Sequence, residues 1–153
     1  MFKLKTLLPL LFTLSLNATA GSAAPALSSL SLERDCNGCP SGSRVVLYAD
    51  GRAVLTTVGK GRLGTADEVR EGRLPPAVFA DLARSAQARG VADLPEDSAD
   101  PQQQDGPWLQ LRIEWKGGHA KQVFYRGEVQ PPALAALVEA IDAASARIAF
   151  GTP

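Results

Sequence analysis

Three features of the sequence predict an α+β domain: an antiparallel sheet built from two hairpins, with two amphipathic helices packed on it. Residues 44–48 and 52–58 are β-rich and flank Asp50-Gly51. Residues 108–116 and 120–125 form a second such pair around Gly117-Gly118. After each pair, a Pro-Pro-Ala run at 75–77 and again at 131–133 opens a segment of helical periodicity.

Residues 1–20 carry the order of a secretory signal peptide. Lys3 and Lys5 supply the charge, residues 7–16 the apolar stretch and Ala18-Thr19-Ala20 the small residues before a cut at Gly21. An apolar stretch of that length, broken by Pro9, falls short of the roughly 20 residues a spanning helix needs. The expected product is an exported protein, periplasmic or secreted, with no membrane insertion after cleavage. Residues 21–31 read as a loose leader of small and polar side chains, and 32–153 as one domain. Removing 20 of the 153 residues leaves 133, enough to bury roughly two-thirds of the unfolded surface. Loss of Lys3 and Lys5 takes the 16 basic residues to 14 against 16 acidic ones, a net of −2. That balance offers nucleic acid no basic footprint.

The first hairpin rests on Asp50-Gly51, a dipeptide suited to a two-residue turn with positive φ at both positions. Such a turn sets Leu47 opposite Val54 and Val45 opposite Thr56. Both faces of this hairpin are apolar, so it is expected to be covered at least in part on both sides. Gly59, Gly61 and Gly64 then break the pattern, leaving a loop and a short edge strand near Val69. The first helix places Phe79, Leu82, Ala83 and Ala86 on one face, and Gly90 stands ready to end it. Val91 and Leu94 extend the core. Residues 95–107 are polar and proline-rich and read as a mobile loop.

Strict alternation returns at 108–116. Leu109, Leu111, Ile113 and Trp115 take the buried face, and Trp108, Gln110, Arg112, Glu114 and Lys116 the other. A two-residue turn sets Glu114 opposite Lys121, and a three-residue turn sets Ile113 opposite Val123. The second helix carries Leu134, Leu137, Val138, Ile141 and Ile148 as a continuous stripe and ends at Gly151.

The two cysteines, Cys36 and Cys39, lie in a Gly/Pro/Ser-rich loop just before the first hairpin. In thioredoxin-like chemistry a Cys-x-x-Cys pair opens a helix whose N-terminus lowers the thiol pKa. Here Pro40-Ser-Gly-Ser and a strand follow, so the reading is a local disulfide in an oxidising compartment. A redox centre is its rival. Zinc would need four ligands, and Cys36, Cys39 and His119 are at most three. Glu96, Asp97, Asp100 and Asp105 share a loop but not the spacing of a calcium-binding series. His119 follows the Gly-Gly turn at a hairpin tip, and neither a serine elbow nor a phosphate loop accompanies it. No catalytic constellation, metal or cofactor is expected. Trp108, with Arg112 two pairs along on the same face, either covers an edge of the core or, with Arg112 and the turn residue His119, marks a candidate binding surface, since Trp and Arg are enriched where partners bind.

The residues 32–40, Leu-Glu-Arg-Asp-Cys-Asn-Gly-Cys-Pro, followed by 47–54, Leu-Tyr-Ala-Asp-Gly-Arg-Ala-Val, resemble the bacterial family catalogued as domain of unknown function 6438. Its members show a Cys-Pro loop, a hairpin turned at Asp-Gly, a helix, a second hairpin and a final helix. They usually place three residues between the cysteines, where this chain has two, and an aromatic residue at the position of Gly42. The resemblance implies an exported or envelope-associated domain and assigns no activity. The function expected is therefore a non-catalytic one, binding a protein or small ligand. Thiol–disulfide exchange by Cys36 and Cys39 is the alternative.

Overall fold

The computed structural model describes residues 25–103 and 105–151. The signal segment expected over 1–20 lies outside the described residues. The fold is α+β: strands β1 (Leu27–Cys36), β2 (Gly42–Tyr48), β3 (Arg52–Val58) and β4 (Glu68–Arg73), helix α1 (Pro76–Ala88), strands β5 (Asp97–Ala99), β6 (Pro107–Trp115) and β7 (Ala120–Arg126), and helix α2 (Pro132–Ser145). The strands form one seven-stranded sheet in the order β4-β3-β2-β1-β6-β7-β5, antiparallel except where β5 lies parallel to β7.

The sheet is thus larger than two hairpins, and the hairpins do not touch. β1 stands between them, pairing β2 on one side and β6 on the other. Part of the segment read as a loose leader, residues 27–31, is therefore central strand. Its alternation is disguised twice. Ser29 and Ser31 face away from the core, and a register shift between Leu27 and Ser29 breaks the period so that Leu27 and Leu30 are both buried. Ser29 is buried too, and its hydroxyl donates to Glu114 Oε2 at 3.0 Å. The loop expected over 95–107 likewise contains β5.

Both turns are one residue longer or placed differently than the sequence suggests. In the first hairpin Leu47 faces Ala53 and Val45 faces Leu55. The loop is Ala49-Asp50-Gly51, with Gly51 N–H donating to Tyr48 O at 3.0 Å and Gly51 at φ +85°. A type I turn followed by a left-handed glycine suits the twist of the strands as well as a two-residue turn does. In the second hairpin the loop is residues 116–118, so Ile113 faces Lys121 and Leu111 faces Val123.

The core lies on one face of the sheet. Leu30, Leu32, Leu47, Leu111, Ile113 and Val123 meet Phe79 and Leu82 of α1 and Leu134, Leu137 and Ile141 of α2. Leu109, Leu111 and Ile113 are buried as the alternation requires, with Trp115 packed at the margin. Proline starts both helices, where a missing N–H costs nothing. Gly90 follows α1 at φ +63° and Val91 is fully buried behind it. α2 stops at Ser145, so Ile148 joins the core from beyond the helix and Gly151 instead bridges Glu71 at the sheet edge. Among the described residues no helix covers the opposite face. Val46 and Val54 are half-buried there and Thr56 is buried, so the opposite face of the first hairpin is covered in part, by neighbouring side chains. No described helix is long and apolar enough to cross a membrane.

Candidate functional site

At the Cys36 end the core face of the sheet runs on past the helices, and a cleft of about 590 Å³ opens over it. Its floor is a row of cross-strand neighbours: Ser43 opposite Arg34, Arg34 opposite Leu109, and Leu109 opposite Tyr125. The next row holds Cys36 opposite Pro107. Cys39, Ser41, Gly127 and Gln130 complete the wall, with Asp35, Gly42 and Trp108 at its margin.

The disulfide shapes this end. Cys36 closes β1 and is bonded to Cys39, with their Cα atoms 5.3 Å apart. Cys39 N–H donates to Cys36 O at 3.4 Å across a turn whose third residue, Gly38, sits at φ +91°. Asn37 Nδ2 donates to Asp105 Oδ1 at 2.8 Å and ties the turn to the segment before β6. Asp35 ties it to the other side: its carboxylate accepts from Cys36 N–H at 2.7 Å and pairs with Lys60. Lys60 is held in turn by Thr65 Oγ1, which accepts its N–H at 2.7 Å. A loop that looked unstructured in sequence is therefore fastened at three points.

The charges follow from these contacts. Burial alone raises the Asp35 carboxyl, but the Lys60 hydrogen bond, the Cys36 amide and the charges of Lys60 and Arg62 outweigh it, so its pKa is lowered. A carboxyl lowered in the native state stabilises it above the unfolded value, and the gain is lost as pH falls. In urea melts taken from neutral pH down to about 2.5, wild type should therefore exceed Asp35→Asn by its full margin above the ordinary value of 3.8 and lose that margin below it. A pH-independent difference would contradict the pairing. Tyr125 is shifted the other way. Burial, then the charges of Asp100 and Glu128, raise its phenol, which stays neutral and a donor. Gly127 packs on its hydroxyl: a Cβ there would come within 2.7 Å of it.

The proposed site residues separate. Cys36, Cys39 and Trp108 come together at the cleft. Trp108 also pairs with Phe124, ring centroids 5.7 Å apart. Arg112 is exposed on the face away from the core, which Trp108 also takes, and is paired with Glu114 at 2.8 Å. His119 stacks on Trp115 at 5.0 Å, at the far end of β6, roughly 23 Å of strand from Trp108. Of Trp108, Arg112 and His119, the cleft takes Trp108 alone. Sequence reasoning missed Arg34, Ser43, Tyr125 and Gln130. The alternation of β7, with Val123 and Tyr125 on one face, was the available signal for Tyr125. Among the described residues no three of His, Cys, Asp and Glu are grouped to hold a metal ion. β2, not a helix, follows the disulfide, and no histidine reaches the cleft.

Comparison with known proteins supplies no relative: no protein-family model matches the chain, and no curated protein is significantly similar to it.

Proposed function

We propose that this is an exported, non-catalytic domain that binds a small ligand in the cleft beside Cys36 and Cys39, in the periplasm or outside the cell. One observation carries the reading: a cleft of about 590 Å³, mainly apolar, with a few convergent polar groups from Arg34, Ser43, Tyr125 and Gln130. Ligand sites have this size and this sparse polarity. The floor belongs to four adjacent strands, β2, β1, β6 and β7, so the polar groups are held by a rigid scaffold. Export is supported by the charge order of residues 1–20, by the cysteine pair and by the resemblance to the exported family.

The test is a plug. Ser43 is the exposed end of the floor row, so Ser43→Trp should fill the cleft without disturbing the core. In a fragment screen read by amide NMR shifts, hits should move Gly42, Leu109 and Gly127 in the wild type and lose that effect in the variant. Hits that ignore the plug would show that binding lies elsewhere.

The position of both cysteines in the cleft wall favours a second reading, thiol–disulfide exchange with whatever occupies the cleft. The two readings differ in what Cys36→Ser with Cys39→Ser does. A clip closing so short a loop stabilises by less than the usual 2–4 kcal/mol. The double variant should stay folded, with a modestly lower melting temperature and unchanged fragment binding. A reduced-protein thiol pKa below about 7, together with catalysed insulin reduction, would instead establish the oxidoreductase.

A further inference from the structure

The cleft is chemically lopsided. Arg34 is the one cationic side chain in its lining, and Tyr125 stands two strands away, about 9.6 Å across the row, with Leu109 between them. Arg34 Nη1 and Nη2 each donate once to Asp142 of α2, at 2.9 and 2.7 Å. A guanidinium carries five N–H donors, so three remain. Asp142 is outside the lining and its side chain is 50% exposed. A pair this wet gains little and can be shared or replaced. The other charge in the lining, Asp35, is already answered by Lys60. What the cleft offers a ligand is therefore a forked cation with three donors left over, beside an apolar floor.

We infer that the cleft takes a small apolar carboxylate, its carboxylate on the Arg34 guanidinium and its apolar body over Leu109 and the Cys36–Cys39 disulfide. The fork of an arginine matches a carboxylate in plane and spacing. At the opposite end the neutral Tyr125 hydroxyl offers a hydrogen bond, while the nearby charges of Asp100 and Glu128 repel an anion. The ligand is therefore anionic at one end only. A dianionic phosphate is disfavoured by its second charge, which would face the Asp142 carboxylate already on Arg34. This inference rests on the cleft being a ligand site, and its test separates the two.

The probes are naphthoate and its uncharged isostere naphthamide, titrated into the full chain with the amide shifts of Gly42, Leu109 and Gly127 as the readout. Naphthoate should bind about tenfold or more tightly than naphthamide, the worth of a charged hydrogen bond. Its affinity, unlike that of the amide, should fall as salt is raised. Arg34→Gln should bring the two probes level. Asp142→Asn, which frees the fork, should widen the preference, and it decides the matter if Arg34→Gln does not fold. Equal binding of the two probes at the cleft, or a preference that Asp142→Asn leaves unchanged, overturns the carboxylate inference and leaves the cleft standing as a site. Failure of both probes to move these amides overturns both.

Discussion

Leu111→Ala should cost the domain about 2–5 kcal/mol, the usual range for truncating a fully buried leucine. Leu111 has no exposed surface and sits at the centre of the sheet, opposite Leu32 on one side and Val123 on the other. The helices lie above it, and none of these neighbours can close the gap without moving a strand. A domain of this size has roughly 5–15 kcal/mol to lose, so the variant should melt early or fail to accumulate. Arg112→Ala, one residue along the same strand, should change stability by well under 1 kcal/mol, since it removes only an exposed ion pair with Glu114. Urea denaturation of the two variants measures the contrast. Losses of equal size would mean that the two faces of β6 had been assigned the wrong way round.

That contrast was legible in the sequence because β6 alternates without interruption, and period-two alternation reports a sheet with one wet face. The helices were legible for a similar reason: proline at the start and an apolar stripe are local signals. What the sequence hid is instructive. β1 reads in part as a leader because serines occupy its open face and a register shift breaks its period between Leu27 and Ser29. A serine that is buried against Glu114 looks, in one dimension, like a serine in a linker. β5 was hidden because three residues in an acidic loop carry no periodicity at all; only the backbone of β7 beside them makes them a strand. The turn registers were missed because Asp-Gly and Gly-Gly suit two-residue and three-residue loops alike.

The site was half legible. Two cysteines before a hairpin point to the end of the sheet where the cleft opens. Its partners could not be read, because Arg34, Leu109 and Tyr125 meet through the pairing of β1, β6 and β7, and the pairing of β1 depended on seeing it as a strand. Arg112 follows from the face it shares with Trp108, and His119 from its place after the Gly-Gly turn. The cleft lies on the core face and at the Cys36 end of the sheet, so neither residue lines it.

Gly51→Ala should destabilise the domain by about 2–4 kcal/mol, from two sources that can be separated. Gly51 closes the loop of the first hairpin at φ +85°, a conformation that costs an L-residue about 1–2 kcal/mol. The position is also crowded. A Cβ on Gly51 would lie 2.7 Å from the backbone oxygen of Leu74, which is a carbonyl and cannot swing aside as a side chain can. Leu74 N–H donates to Gly51 O at 2.8 Å, and Leu74 is itself buried just ahead of α1. The added methyl therefore pushes on the segment that sets the position of the helix against the sheet. Gly118→Ala is the control, because Gly118 has the same φ of +85° and open space around it. It should show the strain alone, about 1–2 kcal/mol, with no change beyond the second turn. In the Gly51 variant the amide shifts of Leu74 and Ala77 should move as well. Equal losses in the two variants, with Leu74 undisturbed, would show that the hairpin loop does not bear on the start of α1.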